Sequence, residues 1–568
     1  MSGGRPRIAL FSSSNATIAS SPPLVTSNKA RAKYGLAPLV NADQSEMRFD
    51  ALRAQRLARP VTIYVEQYSA HPLEKDAAEL YGPPDGYLDK EGVFHEAPSS
   101  PDDRPVYEIE LRPEDGLYPF PYVARQADGQ PWERDEADVG APAHRSRQPF
   151  FPDGSRLVEE IDRFGIGENG VGNLISSRAD LDFYRVLPPS GYTKGLSKSA
   201  RSDIGDGDIL PEKAGKDFFP YRPWHLGQHP PRPGLARIVN DVQSALERAT
   251  YDGIVWLQGS PRIEETLYWL NLLLDTSLPI CGNAAQRAHG QIGDDGAKNI
   301  SDSIEFIKSR VWADEDGRNR LGAVLIQEQQ IFAARDVQKG DARPGAYVAT
   351  GGHGGIVGAV GFGGLPIVTY LPATRHTHRS LVNLSRLPAV VSGVRRDERG
   401  NAVTTIETSV RDERGRLLEA AIPRVQIIKD GNYADDNFEP SLQDQVDVLA
   451  LIGFNLDRGG LSGFVLEGLS PYGTPTSAAR HAALLSAVYS GIPVVRVGRG
   501  NNEGFSAPVD MFIGGRNLTS TKARILLMAC LLRFGSLPPV ANPKAPTAAE
   551  LGKIRQKLQE YQAVFDTH

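Results

Sequence analysis

Apolar residues in this chain gather in short uninterrupted runs closed by glycine-rich or polar turns, the pattern of strands buried on both faces. Ile8 to Phe11, Ile254 to Leu257 and Ala323 to Gln327 are such runs. Around them the spacing turns helical: GLARIVNDVQSALERA (234–249) leads into the 254–257 strand and IEETLYWLNLLL (263–274) leaves it. Strands alternating with helices predict an α/β protein with a parallel sheet. RVQIIKDGNYADD (424–436) restarts the pattern, and GFVLEGLSPYGTPTSAARHAALLSAVYSGIPVVRVGRG (463–500) reads as strand, glycine-rich turn, helix and strand, a second, smaller Rossmann-like domain. Between 392 and 424 the turn signal DERG occurs at Asp397 and again at Asp412, which predicts an inserted pair of hairpins.

Residues 251–266, YDGIVWLQGSPRIEET, read as strand, turn and helix. Ser260 suits the N-cap, Pro261 the first helical position, and Glu264 and Glu265 the positive end of the helix dipole. In an open parallel sheet such a turn lies at the carboxyl end of a strand, where ligands bind. Taken alone, Ser260 is a cap.

The span from about 36 to 222 breaks the pattern. It is rich in Pro, Gly, charge and aromatics, with strand-like pieces at Val61 to Val65 and Val106 to Glu110. Its aromatic density argues for an ordered, loop-rich insertion, either covering a site or interface or decorating the surface.

Composition narrows the function classes. At 568 residues the chain should bury at least two cores. A formal charge of -6 gives no reason to expect nucleic acid or an acidic membrane as partner. No run approaches the ~18 apolar residues of a membrane span, and Ile8 to Phe11 is too short for a signal peptide, so a cytoplasmic protein is expected. Cys281 and Cys530 sit in apolar runs and read as core residues. The glycine run 351–364 satisfies GxGxxG in no register, and His376 and His378 have no further ligands at telling spacing, so neither a cofactor nor a metal is expected.

Four stretches in this order resemble the bacterial-type L-asparaginase family: IALFSSSNATIAS (8–20), YDGIVWLQGSPRIEET (251–266), ARDVQKG (334–340) and a block from Gly463 to Gly535 that contains LTSTKAR (518–524). The family patterns are TGGTIA, HGTDT followed by MEET, RDVTKT and LTxxKAR. The resemblance implies a larger N-terminal doubly wound domain (1–390, with the insertion), a hairpin region (391–424) and a smaller C-terminal domain (425–568). It also implies a homodimer or homotetramer in which a neighbour completes each site.

Carried over residue by residue, the resemblance makes Thr17 the nucleophile, Ser260 the second hydroxyl and Lys339 the lysine of the relay. Asn15 and Ala16 replace the glycines beside the nucleophile, and Asn15 should alter the preferred substrate shape. Tyr34 is a candidate for the lid tyrosine, Gly227 stands near the place of a substrate-binding serine, and Glu503 is a candidate for the glutamate reaching across an interface. Gly259, Pro261 and Arg262 complete the implied binding turn; Arg262 either meets an anionic substrate group or faces solvent. Pro261 stands where the family has an aspartate that partners the lysine and holds the substrate's α-ammonium. Without it a free amino acid should bind badly, and a neutral Lys339 should be easier to reach. The expected function is hydrolysis of a C–N bond in a small amide, lactam or imide lacking a free α-amino group. The rivals are asparaginase or glutaminase activity, ester or lactone hydrolysis, and a catalytically silent binding protein.

Overall fold

The computed structural model describes residues 7–12, 24–25, 44, 61–69, 84, 86–89, 94–111, 218–219 and 231–568, the last with breaks at 249–250, 288–294, 344, 351–353, 362–364, 399, 401, 434 and 500–505. The apolar runs form the centre of an eleven-stranded sheet. Its labelled strands are β1 (Arg7–Ser12), β2 (Val61–Ser69), β3 (Arg104–Leu111), β4 (Gly253–Leu257), β5 (Ile280–Asn283), β6 (Ala323–Gln327), β7 (Gln330–Ala333), β8 (Ile356–Val360) and β9 (Pro366–Val368). The order is β9-β8-β7-β6-β5-β4-β1-β2-β3, continued by Gly86–Leu88 and Phe94–His95. The inner strands β2, β1, β4, β5 and β6 are parallel, and antiparallel strands flank them on both sides.

Alternation along each inner strand feeds two cores. Ala9, Phe11, Ile254, Trp256, Ile280, Ala323 and Leu325 face one side, where helices α1 (Gly234–Arg248) and α2 (Ile263–Leu273) pack. Ile8, Val255, Leu257, Cys281, Val324 and Ile326 face the other, under α3 (Gly296–Ser309). A sheet covered on both faces needs near-continuous apolar strands, which is why these runs stood out.

A second, four-stranded parallel sheet holds β10 (Arg424–Lys429), β11 (Ser462–Gly468), β12 (Val494–Gly498) and β13 (Ile513–Gly514). Helices α4 (Val446–Arg458), α5 (Ala478–Tyr489), α6 (Ser520–Phe534) and α7 (Ala548–Phe565) accompany it. Thr519 caps α6 by accepting the Lys522 N–H, and Thr547 forms a reciprocal capping box with Glu550 on α7. Cys281 and Cys530 are buried thiols in these cores, as expected.

The strand-like pieces at Val61 and Val106 within the 36–222 span are β2 and β3, and β2 pairs in parallel with β1. Two expectations change. The first DERG does turn a hairpin, Val390–Arg396 with Val403–Ser409, but the second closes only a tight turn around Asp412, with one bridge from Arg411 to Leu417. Ser260 does not cap α2. The chain turns through Pro261 and Arg262, whose carbonyls take the Glu264 and Glu265 N–H groups, so the first orphan donors are met without a side-chain cap.

The bottom of β6 gives a stability prediction. Gly322 has φ +73°, and a Cβ there would lie 2.4 Å from Asn271 Oδ1 and 2.8 Å from His376 Cβ. Asn271 Oδ1 is fixed by the Ala323 N–H at 2.9 Å. Gly322→Ala should therefore cost about 2–4 kcal/mol, combining left-handed strain with overpacking. Urea unfolding of the two chains checks it.

Candidate active site

The turn after β4 opens into a cavity of about 760 Å³, lined by Gly259, Ser260, Pro261 and Arg262 together with Gln286 and Lys339. Thr521, from α6, also reaches its wall. Two of the three residues assigned to the relay, Ser260 and Lys339, are therefore brought together across 79 positions of chain (339 − 260 = 79). Thr17, with Asn15, Ala16, Tyr34, Gly227 and Glu503, lies outside the described residues.

Lys339 ends the strand Val337–Lys339, which pairs with Tyr347–Ala349 so that Lys339 stands opposite Tyr347. The pairing places the ammonium 5.4 Å from the centre of the Tyr347 ring. The Tyr347 hydroxyl in turn donates to Ser260 Oγ at 2.8 Å. Tyr347 thus connects the two, and burial pushes its phenol well above the ordinary value, so it remains a donor.

The half-buried Lys339 is held on the cavity wall. Its Nζ donates to Gln286 Oε1 and to the Arg343 carbonyl, each at 2.6 Å, and its backbone N–H donates to Glu264 Oε1 at 2.6 Å. Burial lowers the Lys339 pKa from that of an ordinary lysine. Pro261 offers no carboxylate, but Asp341, Glu328, Asp295 and Glu264 lie near enough to oppose the shift, and desolvation outweighs them.

Gln286 is positioned from behind. Its backbone N–H meets both oxygens of Asp295, at 2.9 and 3.0 Å, and Asp295 also takes the Arg287 N–H at 2.9 Å. Asp295 is buried, which raises its carboxyl pKa. Reading the sequence singled out neither Gln286 nor Tyr347. No local pattern in the sequence connects either residue to Lys339.

Glu264 was expected only to complement the helix dipole. It lies in the first turn but is buried, and desolvation drives its carboxyl up to about 7. The nearby cation is Lys522 of the LTSTKAR stretch, whose Nζ donates to the Glu264 carbonyl at 2.7 Å and to the Ala334 carbonyl at 2.6 Å. Its neighbour Arg524 pairs with Glu265. Helix α6 is thereby tied to the helix that follows the Ser260 turn.

Arg262 is half-buried rather than directed fully into water, and burial lowers its pKa. His376 is buried, and desolvation, with Arg379 nearby, lowers its pKa to about 4. Among the described residues, no group of three or more His, Cys, Asp or Glu side chains is placed to hold a metal ion. Among the same residues, no helix is long and apolar enough to cross a membrane.

Residues 232–356 match the family model described as asparaginase, N-terminal. The matched segment includes Ser260, Gln286, Lys339 and Tyr347, and excludes Thr17. A glutaminase-asparaginase of Acinetobacter glutaminasificans is 29% identical over 154 residues, 27% of this chain and 43% of the relative. An L-asparaginase of Bacillus licheniformis is 30% identical over 105 residues, 18% of this chain and 31% of the relative. The chain thus spans less than half the length of these curated relatives. The solved structure of a probable cytoplasmic L-asparaginase from Campylobacter jejuni aligns with a TM-score of 0.42 and 20% identity, over 59% of this chain and 84% of that one.

Proposed function

We propose, from the match of residues 232–356 to the family model described as asparaginase, N-terminal, that the protein hydrolyses a C–N bond of a small amide, lactam or imide lacking a free α-amino group. The observation that carries the reading is the shared cavity of Ser260 and Lys339, with Tyr347 hydrogen-bonded to Ser260.

In the proposed reaction Thr17 Oγ attacks the carbonyl carbon while its proton passes through Ser260 to a neutral Lys339. Tyr347 donates to Ser260 Oγ, which leaves the Ser260 proton available for that transfer. The C–N bond breaks as the nitrogen takes the proton, and an ester of Thr17 remains. Water, activated in the same way, hydrolyses the ester to the acid. A hydroxyl at its own pKa is a poor nucleophile, so a lysine made easier to deprotonate by burial is the element the step requires.

Substrate choice follows from the charges around the turn. Pro261 supplies no carboxylate, and the carboxylates that do line the cavity are already engaged: Glu264 by the Lys339 N–H, Glu265 by Arg524 and Asp341 by Arg343. An incoming α-ammonium would lose water without a waiting partner.

The test is a screen for ammonia and acid release over asparagine, glutamine, simple amides, lactams and cyclic imides, with Thr17→Ala in parallel. Turnover of a substrate without an α-amino group, abolished in the variant, is the expected result. Efficient asparagine turnover would overturn the substrate class. Silence of the folded chain across the panel would overturn the hydrolase reading in favour of a binding protein.

A further inference from the structure

A second cavity, of about 270 Å³, lies behind the catalytic turn, between the N-terminal ends of α1 and α2 and the β10–α6 side of the second sheet. Its wall is divided by chemistry. Leu235, Ile238, Val425, Ile525 and Met528 make an apolar floor. Arg232, Arg262 and Arg524 supply cationic groups, against a single carboxylate, Glu265, which Arg524 already pairs.

Arg232 is the informative residue. Its Nη1 is buried and has no hydrogen-bond partner among the described residues. Burial depresses its pKa, and the neighbouring charge of Arg424 adds to the effect, so the guanidinium sits in positive surroundings. Nη1 is closed off from the cavity, so a ligand there would meet the rest of the Arg232 side chain, whose planar guanidinium matches a carboxylate.

We infer that this cavity is a binding site for a small amphipathic carboxylate, its acid group on Arg232 and its apolar body on the Leu235, Ile238 and Met528 surface. The volume lies just below that of sites for drug-sized ligands, which suits a short chain or a single ring. Arg262 and Glu265 line both this cavity and the catalytic one, giving occupancy a direct route to the Ser260 turn.

Calorimetric titration of the full chain with hexanoate, and with hexanamide and hexylamine as charge controls, tests the inference without reference to turnover. Hexanoate should bind one site with Kd of about 1 mM or tighter, and both controls at least tenfold more weakly. Arg232→Met should weaken hexanoate at least tenfold and leave hexanamide unchanged. Leu235→Trp, a substitution at a half-buried residue of the apolar floor, should fill the site against hexanoate even if Arg232→Met fails to fold. Equal binding of acid and amide, hexanoate binding indifferent to both substitutions, or no binding by the native chain would overturn the assignment.

Discussion

Lys339→Met should lower kcat on the amide or ring substrate by about 10²–10⁴-fold, the usual contribution of a positioned general base. Lys339→Arg should lose nearly as much, although it keeps the positive charge, because a guanidinium does not deprotonate in the working range. The comparison separates a base from a mere cation: a lysine that only steadied charge would be largely rescued by arginine. Folding should change little in either variant, since the side chain is half-buried and its partners, Gln286 Oε1 and the Arg343 carbonyl, lie on the cavity wall. In the native chain burial lowers the Lys339 pKa from 10.5, so the rate should rise with pH through a midpoint below that value. Both variants should lose this limb. Persistence of the rising limb in Lys339→Met, or full activity in Lys339→Arg, would remove Lys339 from the proton-transfer role.

The site was legible where its signal is local. Ile254 to Leu257 and Ala323 to Gln327 could be read as buried strands because their residues are apolar on both faces, and the turn after β4 followed from Gly259 and Pro261. Ser260 was misread as a cap for the same reason. Capping is a short-range grammar, whereas the hydroxyl that holds Ser260 belongs to Tyr347, 87 residues further on. Glu264 was similarly opaque: its position in the first turn matches a dipole-complementing carboxylate, and only the packing of α6 shows that it is buried beside Lys522, 258 residues away. Strand β2 was visible as an apolar alternation, but its partner β1 precedes it by more than fifty residues, so its place in the central sheet could not be read from spacing. The nucleophile loop depended wholly on family resemblance, and Thr17 therefore remains a proposal that the Thr17→Ala comparison addresses.

The second large effect concerns the buried lysine that joins the two sheets. Lys522 is 1% exposed, and its ammonium holds the Glu264 and Ala334 carbonyls beneath the Ser260 turn while lying 5.4 Å from the centre of the Tyr268 ring. Lys522→Met fills similar volume but leaves the Ala334 carbonyl without the ammonium that holds it, takes a donor from the Glu264 carbonyl and removes the cation that acts most strongly on the Glu264 carboxyl, so it should cost about 3–5 kcal/mol. The pH dependence makes the origin of the loss testable. Desolvation pulls Lys522 down from 10.5 to about 8, so between those values the unfolded chain binds more protons than the folded one. Native stability should therefore rise with pH across that interval. Desolvation pushes Glu264 the other way, from 4.5 to about 7, so its contribution is fully present below 4.5 and is lost as pH rises through 7. Urea unfolding across pH should show a fall at the lower interval and a recovery at the upper one. Lys522→Met should abolish the recovery and move the fall to higher pH, because the cation that opposes the rise in the Glu264 pKa is gone. Glu264→Gln should abolish the fall instead. A uniform loss in Lys522→Met at every pH would mean that the lysine acts through packing alone and that the charge pair does not govern how α6 supports the Ser260 turn.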